Sequence, residues 1–298
     1  MDASAINLWP LVQATTQSAL SCGALKPIAT QRYFITDHDI VFLVRVVDSI
    51  ARKEAAQKSQ PKDVTAQAFN PFLPYEEALF VGDLSDTHVC LLNKFNVVDH
   101  HLLMVTRAYE SQNDWLTLPD FAALAHCLLA VDGLGFYNSG ADAGASQHHK
   151  HLQLIPFSEG EGVNTVPIAT VISQHQEVLA HTHCLPQLPF LHSVRPLQQP
   201  WRMSDQPALA AALLATYQQI MVDLGMDLQT ARPAQPYNLL MTRQWMMGVG
   251  RSQPTYGGIG VNALGYAGWL LVKDGDLLTQ LQAIGPMTLL QAVGQPGR

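Results

Sequence analysis

Between Asn138 and Phe157 the chain reads NSGADAGASQHHKHLQLIPF, and in it His149, His151 and Gln153 stand two residues apart. A histidine, with a reference pKa of about 6.5, is mostly neutral at cytosolic pH and can then act as a nucleophile. Just upstream, Ser139 to Ser146 is a run of small residues that includes Gly140 and Gly144. Small side chains let backbone N–H groups converge on an anion, so the run is suited to cradling a phosphate. An imidazole beside such a cradle is placed to attack phosphorus. If Gln147 to Ile155 is a strand, its period of two sets His149, His151 and Gln153 on one face and His148, Lys150 and Leu152 on the other. A metal site or a chance polar cluster is the bland alternative. The loop upstream and the glutamine downstream favour phosphate chemistry.

Such a strand needs neighbours, and the surrounding sequence supplies them. Val41 to Val47, Ala78 to Leu84, His88 to Asn93 and His101 to Thr106 are short aliphatic or β-branched runs expected as strands. Leu84-Ser85-Asp86-Thr87 has turn chemistry, which predicts an antiparallel hairpin and favours a meander over a wound parallel sheet. Helical spacing from Ala3 to Leu20 predicts a first helix that Pro10 bends or restarts. Thr117, Pro119 and Asp120 mark the start of a helix ending before Gly133, and Asp205 is expected to cap another that reaches Leu224-Gly225. Tyr237 to Thr242, Trp245 to Val249 and Tyr266 to Val272 read as strands, followed by two short helices. The stretch from about Gly160 to Pro200 is rich in Pro and His and weakly periodic.

The 298 residues are 48% hydrophobic and 14% charged, which excludes a disordered, collagen-like or coiled-coil chain. A net charge of -7 offers no sequence-wide basic field for a nucleic-acid backbone, so an anionic ligand must be gripped locally. Cys22, Cys90, Cys127 and Cys184 are scattered without a CxxC pair, which suggests reduced thiols and a cytoplasmic protein. No apolar run is long enough to span a bilayer, and no signal peptide is expected.

Asn138, Gly144-Ala-Ser-Gln147 and His149-Lys-His151-Leu-Gln153 resemble the signature of the ATP adenylyltransferases, also called diadenosine tetraphosphate phosphorylases, of the histidine-triad superfamily. Leu91 to Val98, Asn70-Pro-Phe-Leu-Pro-Tyr75, Tyr237 to Arg243, Trp245 to Met247 and Val261 to Gly268 resemble other pieces of the same family. The resemblance implies an α+β, histidine-triad-like fold, mainly antiparallel sheet with packed helices. It implies a histidine-triad-like region over 1–190 and a C-terminal region over 191–298 packed onto the same core.

It also implies roles. His151 resembles the nucleophile that takes AMP, His149 the group that orients it, and Gln153 the third triad member, where hydrolytic relatives carry His. Gly144, Ala145, Ser146 and Gln147 resemble the phosphate loop, with Asn138 near ribose or phosphate. Lys53 resembles a phosphate-contacting lysine, and Leu92 and Asn93 the nucleoside contacts. Asn238, Met247 and Arg251 match substrate contacts, Met247 reading equally well as core packing. Lys53 or Lys150 and a Mg²⁺ carried with the polyphosphate would neutralise charge, with no tightly bound organic cofactor and no protein-held metal. The implied partners are small molecules: diadenosine tetraphosphate, ATP, ADP and phosphate, with no nucleic acid and no membrane.

Three other readings stand beside this one: a dinucleoside polyphosphate hydrolase, a hexose-phosphate uridylyltransferase and a non-catalytic nucleotide binder. The uridylyltransferases share the His-x-His-x-Gln logic, but Lys150 stands where they carry Pro and their metal-binding cysteines are not apparent. The intact His151 argues against a mere binder. His181, His183 and Cys184, with His175 and His192, lack the paired spacing of a zinc cage. His100, His101 and His126 read as ordinary strand-end and helix residues.

Overall fold

The computed structural model describes residues 8–47, 70–157 and 166–297. Its centre is an eight-stranded sheet in the order β3-β4-β5-β7-β6-β9-β10-β8, antiparallel at every step. The strands are β3 (Phe80–Asp83), β4 (His88–Leu92), β5 (Leu102–Thr106), β6 (Gly133–Asn138), β7 (His151–Pro156), β8 (His192–Pro196), β9 (Tyr237–Met241) and β10 (Trp245–Gly250). The antiparallel meander expected from the turn chemistry is therefore present. The pairing of β6 with β9 joins the two halves of the chain in one sheet.

A second, three-stranded sheet holds β1 (Thr30–Asp37), β2 (Ile40–Val47) and β13 (Trp269–Val272). Here β13 runs parallel to β2, so the end of the chain closes on its beginning. A two-stranded ribbon, β11 (Thr255–Tyr256) with β12 (Ile259–Gly260), leads towards β13.

Alternation along the strands sends apolar side chains to both faces of the large sheet. Leu152, Leu154, Leu102, Met104, Leu239 and Met241 join one buried cluster with helices α1 (Leu8–Ser21), α2 (Leu118–Ala130) and α5 (Gln206–Asp223). Leu134, Phe136, Ile155, Leu240 and Met247 face the other way, into a cluster with β2, β13, α3 (Pro167–Gln174), α4 (Gln176–Thr182), α6 (Ala263–Ala267), α7 (Gly275–Ile284) and α8 (Pro286–Val293). On that second face a separate patch forms around Phe72, Val89, Leu91, Leu103 and Val105. The cleft lies on this face, lined by residues of both patches.

Several elements differ from expectation. Only Phe80–Asp83 of the run from Ala78 to Leu84 is strand, because Glu77–Leu79 form a single 3-10 turn. Residues 263–267 are helical where a strand from Tyr266 was expected. Asn262 caps that turn by accepting from Leu264 N–H, and Gly268, at φ 97°, ends it before β13. Asp205 precedes α5 but makes no side-chain cap hydrogen bond. The weakly periodic stretch contains α3, α4 and β8, and β1 was not anticipated at all. Thr117 does open α2: its N–H and hydroxyl both donate to Asp120 Oδ2, at 2.7 Å each.

Candidate active site

The ladder of β7 starts at His151, four residues later than the strand expected from Gln147, with His149 held in an isolated bridge to Ser111. The alternation still runs through this segment. Lys150 reaches Asp120 on α2, on the helix side, while His151 and Gln153 line a cleft of about 1180 Å³ on the opposite side.

His151 is 4% exposed, and burial pushes its pKa down to about 4, so the ring is neutral. Its single ring proton is placed by the His149 carbonyl, 2.9 Å from Nδ1. Nε2 therefore keeps its lone pair on the cleft side, which is the tautomer a nucleophile needs. The backbone is fixed as firmly. Gln112 accepts from His151 N–H at 2.9 Å and donates to the carbonyls of Asn138, at 2.9 Å, and His151, at 3.2 Å, stapling β6 to β7. Gln112 sits in a turn-like Ser-Gln-Asn-Asp stretch that gave no sign of this task.

His149 does not line the cleft and acts on His151 through its backbone carbonyl. Its Nε2 donates to the Thr106 carbonyl at 2.8 Å and its Nδ1 accepts from Asn70 at 3.0 Å. Burial lowers its pKa too, and the Phe72 ring stands 5.7 Å from His149 and 5.3 Å from His151. The proline-rich connector thus covers both imidazoles.

The loop supplies donors. Asn138, Gly144, Ala145, Ser146 and Gln147 all line the cleft, as do Leu92 and Asn93. Asn138 Oδ1 is occupied by Asn238 Nδ2, at 2.8 Å, and Ala263 N–H, at 2.9 Å, which leaves its own Nδ2 as the free donor. Gly144 is at φ 87°, and a Cβ there would lie 2.5 Å from the Val261 carbonyl, so only glycine fits.

Three expected contacts stand elsewhere. Met247 is fully buried in the core, settling its alternative reading as packing. Asn238 is spent on Asn138, the Ala143 carbonyl and Arg251. Arg251 is 0% exposed, and its guanidinium donates to Ala143 O, Asn238 Oδ1, Val261 O, Gln253 O and Val293 O. A guanidinium has only about five N–H groups, so none is left for a ligand. Both residues lie behind the loop and hold it up. Lys53 lies outside the described residues.

Lys150 cannot neutralise a phosphate from where it is. Its Nζ is buried among Glu110 Oε2, at 2.6 Å, the Trp115 carbonyl, at 3.0 Å, and Asp120 Oδ2, at 3.5 Å. Burial alone would raise the Asp120 pKa, but His88 and Lys150 overcome it and hold it below 3.8. Lys150→Met should cost about 1–3 kcal/mol of stability with little loss of kcat. Because Asp120 is depressed, the Lys150 contribution is present above pH 3.8 and lost as pH falls through the folded value. Denaturant melts of both proteins at pH 7 and pH 3 check this: the gap should narrow at the lower pH.

His192, in the His-rich segment that lacks the spacing of a zinc cage, has both ring nitrogens engaged, by Phe190 O at 2.8 Å and Leu185 N–H at 2.8 Å. Among the described residues no group of three or more His, Cys, Asp or Glu could hold a metal ion. His101 was misread. Far from an ordinary strand-end residue, it lines the cleft beside Gln153, because Leu103 of β5 pairs with Gln153 of β7.

A neutral histidine beside a glycine-bearing loop of donors, in a cleft on an antiparallel α+β sheet, defines a histidine-triad-like nucleotidyltransferase. The chain belongs to the Ap4A phosphorylase / ATP adenylyltransferase family. Residues 1–174 match the model of the Ap4A phosphorylase N-terminal domain, and residues 186–296 that of the ATP adenylyltransferase C-terminal domain. It is 29% identical over 284 residues to diadenosine 5',5'''-P1,P4-tetraphosphate phosphorylase 2 of Saccharomyces cerevisiae, covering 86% of this chain and 80% of the relative. The crystal structure of yeast Ap4A phosphorylase Apa2 superposes with a TM-score of 0.74 at 27% identity, covering 98% of this chain and 95% of the other. Its complex with Ap4A has a TM-score of 0.74 at 26% identity and covers 98% of each chain.

Proposed function

We propose that this protein phosphorolyses diadenosine tetraphosphate to ATP and ADP, with His151 carrying AMP between two half-reactions. The observation that carries the reading is the neutral His151, its Nδ1 tied to a carbonyl and its Nε2 free beside the loop. In the first half-reaction Nε2 attacks the α-phosphorus; a P–N bond forms, the P–O bond to the β-phosphate breaks, and ATP leaves. In the second, a phosphate oxygen attacks the same phosphorus, the P–N bond breaks, and ADP leaves. ATP departs as a stable anion, so no strong general acid is needed, and positioning with electrostatic support dominates.

The cleft of about 1180 Å³ exceeds the usual range of roughly 300–1,000 Å³ for small-molecule sites and suits a dinucleotide better than a mononucleotide. Relatives of this chain are named for Ap4A phosphorolysis, and one was solved with Ap4A bound. Glu76, paired to Lys94, is the single acidic side chain on the described cleft wall. A Mg²⁺ carried on the polyphosphate would supply the counter-charge as part of the substrate. Four free cysteines fit a reducing, cytoplasmic setting, and among the described residues no helix is long and apolar enough to cross a membrane.

Incubation with labelled Ap4A, with and without phosphate, tests the reading. ATP and ADP should appear only with phosphate. ATP and AMP formed from water alone would make the protein a hydrolase, and unchanged Ap4A would leave only a binder.

A further inference from the structure

The third triad place holds an amide, and an amide has two different ends. A Gln153 that turned Oε1 to the cleft would repel phosphoryl oxygens, whereas one that turns Nε2 to the cleft donates to them. Which end faces inward is settled by whatever holds the other.

A directional series of hydrogen bonds does this. The backbone N–H of Phe95 donates to Asn93 Oδ1 at 3.2 Å, which fixes the Asn93 amide. Asn93 Nδ2 then donates to His101 Nδ1 at 3.2 Å, leaving the one proton of that ring on Nε2. His101 Nε2 donates in turn to Gln153 Oε1 at 3.0 Å. Burial, with His151 adding to it, pushes the His101 pKa down to about 4, so the ring stays neutral and the direction does not reverse. At the end of the series Gln153 has its carbonyl occupied and its NH₂ without a partner among the described residues, on a residue that lines the cleft with His151.

We infer that His101 is a positioning residue for adenylyl transfer: it locks Gln153 as a pure hydrogen-bond donor towards the phosphoryl group carried by His151. The inference rests on the phosphorolytic reading above. It also assigns Asn93 a task besides lining the nucleoside wall, since that side chain sets the His101 tautomer.

Two variants separate the lock from simple packing. His101→Phe keeps the ring volume and removes the donor. His101→Gln keeps an amide N–H near the place of Nε2. The phenylalanine variant should lose about 10-fold to 100-fold in kcat for Ap4A phosphorolysis, the size typical of groups that orient a reacting residue, with KM within about threefold. The glutamine variant should stay within about threefold of the parent in kcat. In a Gln153→Ala background the phenylalanine change should cost less than about twofold, because there is no amide left to orient.

Equal losses in the two His101 variants, or a loss that persists in the Gln153→Ala background, would overturn the inference. Should the phenylalanine variant not fold, the glutamine variant decides alone, and a kcat loss beyond tenfold refutes the lock. A parent protein that makes no ATP and ADP from Ap4A and phosphate would refute the activity instead, so the two failures are told apart.

Discussion

His151→Ala abolishes turnover, with an expected loss of about 10⁴-fold or more, while AMP affinity stays within a few-fold. The loop donors, Asn138 and the side wall remain, and only the attacking atom has gone. Parent protein mixed with labelled Ap4A and no phosphate should yield protein-bound AMP that is labile to acid, and the variant none. The pH dependence follows from burial. A pKa of about 4 keeps Nε2 unprotonated through the whole neutral range, so single-turnover formation of bound AMP should be flat from pH 7 to about 5 and fall only below that. An acid limb centred near 6.5 in that step would show a solvated, unshifted histidine. The same shift weakens the fold in acid. The unfolded chain takes up this proton as pH falls past 6.5 and the folded one only near 4, so stability present above 6.5 is lost between those values.

Arg251→Met should be the most damaging change away from the cleft, costing roughly 3–5 kcal/mol and lowering Tm by about 10 °C. Removing the guanidinium leaves the Val261 and Gln253 carbonyls and Asn238 Oδ1 without their donor, and takes one of two donors from the carbonyls of Ala143 and Val293, at a site where Arg251 itself is fully buried. Thermal melts with AMP titration distinguish a support from a contact. A variant with parental Tm and weakened AMP binding would put Arg251 in the ligand site after all. Met247→Leu, by contrast, is a near volume-conserving core exchange and should cost less than about 1.5 kcal/mol.

The sequence carried the triad strand because its information is local. A period of two and a run of small residues are visible within twenty positions, and they did bring His151, Gln153 and the loop to one cleft. The antiparallel hairpin of β3 and β4 was legible for the same reason, through its turn residues. What was not legible depends on pairing between distant segments. His101 becomes part of the site only through the register of Leu103 with Gln153, and nothing near His101 announces that register. Asn238 and Arg251 were expected as substrate contacts, but whether a polar side chain touches ligand or backbone is decided by which carbonyls surround it, and no pattern in the sequence shows those. Lys150 went to the helix side for a reason already present in the alternation, which placed it on the face opposite His151.

The seam where the start of the chain meets its end bears on the order in which the molecule is made. β2 waits for β13, β6 waits for β9, the loop at 139–146 rests on Asn238 and Arg251, and Asn138 is held by Asn238 and Ala263, all of which leave the ribosome long after His151. A nascent chain that has exposed its nucleophile still lacks the underpinning of its phosphate cradle and one wall of its cleft.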